Sequence, residues 1–134
     1  MMKSPAQFRG YSVEDLGPVI ALCSGEDWPA YTSDPSRAHS VFTAPGVMSV
    51  VGKIDSEVIA FAYFQTDGAI QAHLSLLVVA PSRRRDGVAR DLLTYAFERL
   101  GVKRVDLITS TAQDFYRSLP HKERSGFRIY PVSG

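Results

Sequence analysis

Leu76-Leu77-Val78-Val79-Ala80-Pro81-Ser82-Arg83-Arg84-Arg85-Asp86-Gly87-Val88-Ala89 is the stretch on which the reading of this chain turns. Its first residues are apolar on both faces, the pattern of a central strand covered from two sides. Pro81 ends the strand, and a basic loop with one glycine follows. Val88, Ala89, Leu92, Leu93, Ala96, Phe97 and Leu100 then line one broad helical face that Gly101 closes. Strand, tight loop and helix start in that order aim free backbone N–H groups and the positive helix end at one point, which favours a phosphate group. Arg83, Arg84, Arg85 and Arg90 add positive charge around it. A solvated basic turn that caps a helix accounts for the same residues equally well. No Gly-Lys-Ser/Thr follows the loop, which excludes a P-loop. A single glycine in the turn is poor support for a dinucleotide fold.

Upstream, the chain reads as a strand meander. Val47–Ile54 is rich in β-branched residues and ends at the turn Asp55-Ser56. Glu57–Gln65 follows, then the hairpin signal Asp67-Gly68 and a long strand over 69–80. Downstream, the pattern predicts a buried strand over 104–109, a short helix over Thr111–Leu119 and a last strand over Gly126–Val132. At the start, residues 7–11 read as a short strand. Ser12 with Asp15 resembles a capping box ahead of Leu16, Val19, Ile20 and Cys23 at helical spacing. Pro18 predicts a kink or a late helix start. A polar loop with Trp28 and Tyr31 leads to a second short helix near Pro35–Thr43. A strand, a crossover helix and another buried strand give one parallel pair beside antiparallel hairpins. The expected fold is mixed α/β.

Composition narrows the classes. The chain has 134 residues, 45% apolar and 22% charged, which fits one globular domain and argues against disorder. Fifteen Lys and Arg against fourteen Asp and Glu leave a formal charge of +1, which removes the main argument for a nucleic-acid or membrane-surface protein. The longest apolar run, Leu76 to Ala80, is far below the roughly 18 residues of a membrane span. Met1-Met2-Lys3-Ser4-Pro5 has no apolar stretch behind it, so no secretory signal is expected and the location read from sequence is cytoplasmic. One cysteine, Cys23, makes neither an internal disulfide nor a zinc cluster, and its place on the apolar helix face reads as core.

Arg84-x-x-Gly87-x-Ala89 after a Val-x-Pro strand end resembles motif A of the GNAT superfamily, the acetyl-CoA-dependent N-acyltransferases. The resemblance continues through Leu92-Leu93 and through Phe115-Tyr116 to Gly126-Phe127, so it runs over about residues 7–132 and is strongest over 76–93. It implies a single N-acetyltransferase domain over 1–134. The implied sheet is central and mostly antiparallel, of six to seven strands with one parallel pair (69–80 and 104–109), flanked by about four helices. It also implies acetyl-CoA as co-substrate, no metal, and direct attack by a primary amine in a ternary complex. Small molecules and peptides remain open as the acceptor, the protein is expected as a monomer or homodimer, and neither nucleic acid nor membrane is implied as a partner. The competing readings are a non-catalytic acyl-CoA-binding or regulatory domain and an RNA-binding module using Arg83 to Arg85.

By the same resemblance, the main chain of Leu77, Val78 and Val79 pairs with the pantetheine arm. The loop of Arg84, Arg85, Asp86, Gly87, Val88, Ala89 and Arg90 holds the pyrophosphate. Leu77 occupies the position whose N–H meets the thioester oxygen. Tyr116 would donate a proton to the departing thiolate, or else pack on the sheet as Phe115 does. The link from Arg117 to Ser125 is longer than the family's usual one and holds Pro120 and His121. His73, four residues before Leu77, would relay the amine proton, with Asp106 on the next strand as its rival. His121 and His39 rank below them. Trp28, Tyr31 and Phe64 would wall the acceptor pocket, or else serve as core. Glu26, Asp27 and Asp34 would attract a cationic amine.

Overall fold

The computed structural model of the protein describes residues 5–26 and 28–131. Strands β1 (Gln7–Gly10), β2 (Val47–Ile54), β3 (Glu57–Thr66), β4 (Gln71–Val79) and β5 (Arg104–Asp106) form one sheet in that order. β1 to β4 pair antiparallel, and β4 and β5 run parallel. The helices are α1 (Leu16–Ser24), α2 (Pro29–Thr32), α3 (Pro35–Phe42), α4 (Val88–Leu100) and α5 (Gln113–Arg117).

Local chemistry sets the turns. Asp55 and Ser56 both take positive φ, 50° and 70°, the handedness that matches a two-residue hairpin to the twist of its strands. At the next turn, Asp67 Oδ1 accepts the N–H groups of Ala69, Ile70 and Gln71 at 2.8, 2.7 and 3.1 Å. Residues 67–70 therefore form a turn built on a side chain, and β4 opens at Gln71, later than the predicted 69. Ser12 N–H donates to Asp15 Oδ2 at 2.9 Å, and a 3₁₀ turn at Val13–Asp15 precedes α1. Pro18 falls in the first turn of α1, where its missing N–H has no intrahelical partner to lose. Of the two outcomes expected there, the late start holds.

Two apolar cores lie on opposite faces of the sheet. Val19, Cys23, Ala38 and Phe42 of α1 and α3 meet Val51, Phe61, Tyr63, Leu76 and Val78. On the other face, Val88, Leu92, Leu93, Ala96 and Leu100 of α4 meet Val50, Ala62, Phe64, Leu74 and Val79. Each fully buried side chain of this size stabilises the fold by roughly 1.5–3 kcal/mol. A bulge divides β4 between the cores. Tyr63 pairs with Leu76 and Phe64 with Leu74, so Ser75 is an extra residue. Before it, Ala72 and Leu74 face α4; after it, Leu76 and Val78 face α1 and α3.

Several expectations are corrected. Among the described residues the sheet has five strands, not six to seven. Residues 120–131 are exposed and form no strand, so the strand expected over Gly126–Val132 is absent over 126–131; Val132 lies outside the described residues. Apolar and polar residues alternate at Phe127, Arg128 and Ile129, but alternation makes a strand only where a neighbour takes the backbone hydrogen bonds. Phe127, Ile129 and Tyr130 are about four-fifths exposed. β5 ends at Asp106, short of the predicted 109, and α5 is shorter than 111–119. The described residues form five α-helices rather than about four, because Pro29–Thr32, read as loop, winds one turn from Pro29.

Candidate active site

β4 pairs with β5 only from Gln71 to His73. Over 74–79 it has β3 on one side and no strand on the other among the described residues. Ala80 N–H donates to the Ile59 carbonyl at 2.8 Å. The alternation of an antiparallel ladder then turns Val78 toward β3 and points the N–H groups of Val79 and Leu77 at the open edge. The Val79 carbonyl on that edge is taken by Arg84 Nε at 3.1 Å. The main chain of Leu77 stands open beside it.

The loop after β4 makes a 3₁₀ turn at Pro81–Arg83 and then reverses through two positive φ angles, 71° at Arg85 and 80° at Gly87. α4 begins at Val88 with no side-chain cap, so the N–H groups of Val88 and Ala89 have no carbonyl one turn earlier. A Cβ at Gly87 would meet no atom within 4 Å, so a side chain there would project into open space. These donors, the positive helix end and exposed Arg85 fit an anionic group such as a pyrophosphate. Arg84 points elsewhere. Its guanidinium bridges the Val79 carbonyl and Glu26 Oε2, the latter at 2.6 Å, and so ties the loop to the end of α1.

Tyr116 of α5 packs on the α4 side of the sheet, edge-on to Phe115 at 5.0 Å between ring centres. Burial pushes its phenol up to about 12, so the O–H stays protonated. Arg90 in the first turn of α4 reaches Ser118 Oγ at 3.5 Å, which ties the end of α5 to the loop helix. The long link beyond it folds back on itself. Arg117 Nε donates to Glu123 Oε1 at 2.6 Å, and His121 Nδ1 lies 2.7 Å from the Leu119 carbonyl.

His73 and Asp106 line one open cleft of about 650 Å³ on the α3 side, with Val41, Val47 and Gln65. Trp28 and Tyr31 are half-buried against the α1–α3 core. Tyr31 stacks on Phe42 with ring centres 6.0 Å apart, and its hydroxyl lies 2.7 Å from that of Tyr63. Phe64 is fully buried on the α4 face, so it does not wall the acceptor side. Glu26 is paired with Arg84, and Asp34 accepts the Arg37 N–H at 3.1 Å as the cap of α3. Asp27 lies outside the described residues. His39 hydrogen-bonds Tyr11 at 2.9 Å, away from the cleft. Cys23 is core, and burial pushes its thiol up to about 11. Tyr63, Ser75 and Gln65 were not singled out from the sequence. The hint was a serine inside the apolar run Leu74-Ser75-Leu76-Leu77.

Residues 45–119 match the family described as the acetyltransferase (GNAT) domain. The match spans more than half of the chain, which belongs to the GNAT acetyltransferase family. Solved structures share the fold. AAC(6')-Iy in complex with the bisubstrate analogue CoA-S-monomethyl-acetylneamine is 21% identical, with a TM-score of 0.76 over 96% of this chain and 99% of that one. A transcriptional regulator from Bacillus halodurans is 16% identical, with a TM-score of 0.78 over 93% and 99% of the two chains. A ribosomal-protein-alanine N-acetyltransferase from Brucella melitensis is 12% identical, with a TM-score of 0.77 over 95% and 99%. At these identities the likeness is one of fold. No curated protein matches the chain at a significant level. Among the described residues, no helix is long and apolar enough to cross a membrane, and no three His, Cys, Asp or Glu side chains gather as metal ligands.

Proposed function

We propose that this protein is an N-acetyltransferase that moves an acetyl group from acetyl-CoA to a primary amine by direct attack in a ternary complex. One observation carries the reading: the open edge of β4 at Leu77 lies between the Gly87 loop at one end and His73 with Asp106 at the other. The structure of AAC(6')-Iy with CoA and that of its bisubstrate analogue, on the same fold, support a CoA thioester and a small amine as the pair of substrates.

Acetyl-CoA supplies the activated acetyl group, and CoA leaves as a thiolate once its C–S bond to that group breaks. In the proposal, residues 85–90 seat its pyrophosphate, with Arg84 bracing the loop against Glu26 and Gly87 giving the backbone room to approach. Leu77 and Val79 present main chain to the pantetheine arm as a neighbouring strand would. The Leu77 N–H points where the carbonyl oxygen gains charge, a contribution of about 10²–10³-fold in comparable sites. His73 takes the proton from the acceptor nitrogen, with Asp106 beside it on β5. Tyr116 keeps its proton until the thiolate forms and then gives it up. Trp28 and Tyr31 face the acceptor.

The test is incubation with acetyl-CoA and a set of amines (phenethylamine, spermidine, kanamycin and a peptide with a free N-terminus), following free thiol. Thiol release that depends on one of them supports transfer. Tight acetyl-CoA binding with no amine-dependent release would instead make the protein an acyl-CoA-binding domain.

A further inference from the structure

The acceptor face carries a line of polar side chains that the steps above do not use. Tyr63 is 4% exposed, set between Phe42 and Phe61, and a phenol buried among rings needs partners for its hydroxyl. Tyr31 Oη lies 2.7 Å away, and the Ser75 hydroxyl also favours the phenol's ionised form. Gln65 Nε2 donates to Ser75 Oγ at 3.2 Å. The chain runs from Gln65 through Ser75 and Tyr63 to Tyr31, joining β3, the bulge of β4 and helix α2.

Both neighbouring hydroxyls act on the buried phenol. Burial raises the Tyr63 pKa most, the hydrogen bond with Tyr31 raises it further, and Ser75 lowers it. Ser75 Oγ takes a hydrogen from Gln65 Nε2. A serine hydroxyl has one donor and two acceptor sites, so one lone pair is left. Ser75 is also the residue that the bulge adds, half-exposed on β4 between His73 and Leu77.

We propose that Ser75, held at the β4 bulge by Tyr63 and Gln65, accepts an N–H of the acceptor amine and so orients its nitrogen toward the bound thioester. This rests on the acetyl-transfer reading above. A neutral primary amine has two N–H groups and one lone pair, and an oxygen on one N–H leaves the lone pair free to attack. Tyr63 is too buried to touch an acceptor, so it acts through Ser75 as a positioning residue.

Wild type, Ser75→Ala, Ser75→Thr, Tyr63→Phe and the double variant Tyr63→Phe/Ser75→Ala are compared with whichever of phenethylamine, spermidine, kanamycin and the free peptide wild type acetylates fastest. Calorimetry with acetyl-CoA runs alongside. Ser75→Ala and Tyr63→Phe are each expected to lower kcat/KM for the amine by about tenfold, the effect of one hydrogen bond, with acetyl-CoA affinity unchanged. Ser75→Thr, which keeps the hydroxyl, recovers most of the loss. The double variant falls no lower than Ser75→Ala alone. Wild-type kcat/KM in folded Ser75→Ala, or losses that multiply in the double variant, overturn the role of Ser75 while leaving acetyl transfer standing. A wild type that binds acetyl-CoA and acetylates none of the four amines overturns the acetyl-transfer reading, and this role with it.

Discussion

His73 and Asp106 are cross-strand partners, and they are the last residues at which the parallel strands β4 and β5 pair. Beyond them β4 continues to Val79 with β3 alone, while the chain after β5 leaves the sheet. An imidazole and a carboxylate thus stand at the point where the opening begins, on one cleft. The sequence casts them as rivals for one proton; the register sets them side by side.

For that pair, His73→Gln is expected to lower kcat/KM by about 10²-fold or more, the usual scale for a lost general base. Asp106→Asn should lower it less, and the double variant should fall no further than His73→Gln. The measurement is kcat/KM against pH, with acceptors of different amine basicity to separate ionisation of the substrate. If Asp106→Asn alone removes the acidic limb, the carboxylate is the base.

Gly87→Val should abolish acetyl-CoA binding in a folded protein. The φ of 80° is one that a β-branched residue resists, and the new side chain would occupy the open side of the loop. Circular dichroism establishes the fold and calorimetry reads the affinity. Unchanged affinity in the folded variant would remove the loop from the site.

Tyr116→Phe should lower kcat by at least about 10²-fold with acetyl-CoA affinity nearly intact, because only the proton donor is lost. The phenol holds its proton up to a pKa of about 12, so the loss should be uniform across neutral and mildly alkaline pH. Stability carries the same signature. An unfolded tyrosine ionises near pH ~10, so between there and the folded value the unfolded chain binds fewer protons and stability falls. Alkaline denaturation should show a smaller fall in Tyr116→Phe than in wild type.

Arg9 and Asp15 make a bidentate pair at 2.7 and 2.9 Å, with the Asp15 side chain almost wholly buried. Burial alone would raise the Asp15 carboxyl, but the hydrogen bonds from Arg9 and the Ser12 N–H outweigh it and hold it below its ordinary value. Arg9→Leu leaves that carboxylate buried without its partner and should destabilise the fold by about 3 kcal/mol near neutral pH. The wild-type advantage exists above the unfolded carboxyl value, near pH ~4, and is lost as pH falls through the lower folded one. Urea denaturation at several pH values should show the gap between the two proteins narrowing in acid.

Features written in neighbouring residues were legible without coordinates. The apolar spacing of Leu92, Leu93, Ala96 and Leu100, closed by Gly101, gives α4 its bounds, and the turns at Asp55-Ser56 and Asp67-Gly68 delimit the hairpins. The loop before α4 was legible for the same reason. What depends on distant partners was not. Arg84 is committed to Glu26, 58 positions away, and no local pattern announces that. The bulge at Ser75 follows from which β3 residues pair with it, and the length of β5 from where pairing stops. Phe127 and Ile129 carry the period of a strand, but period alone does not supply a neighbour.

The extra residue at Ser75 has a consequence for insertion and deletion. Across it the side-chain phase of β4 reverses, so that Ala72 and Leu74 face α4 while Leu76 and Val78 face α1 and α3. Deleting Ser75 would join Leu74 directly to Leu76, and regular alternation would then keep Leu74 toward α4 and Leu76 and Val78 toward the α1–α3 core. Loss of that one small polar residue therefore removes the bulge and the Ser75 hydroxyl while leaving both cores in phase. Replacing its side chain leaves that phase untouched.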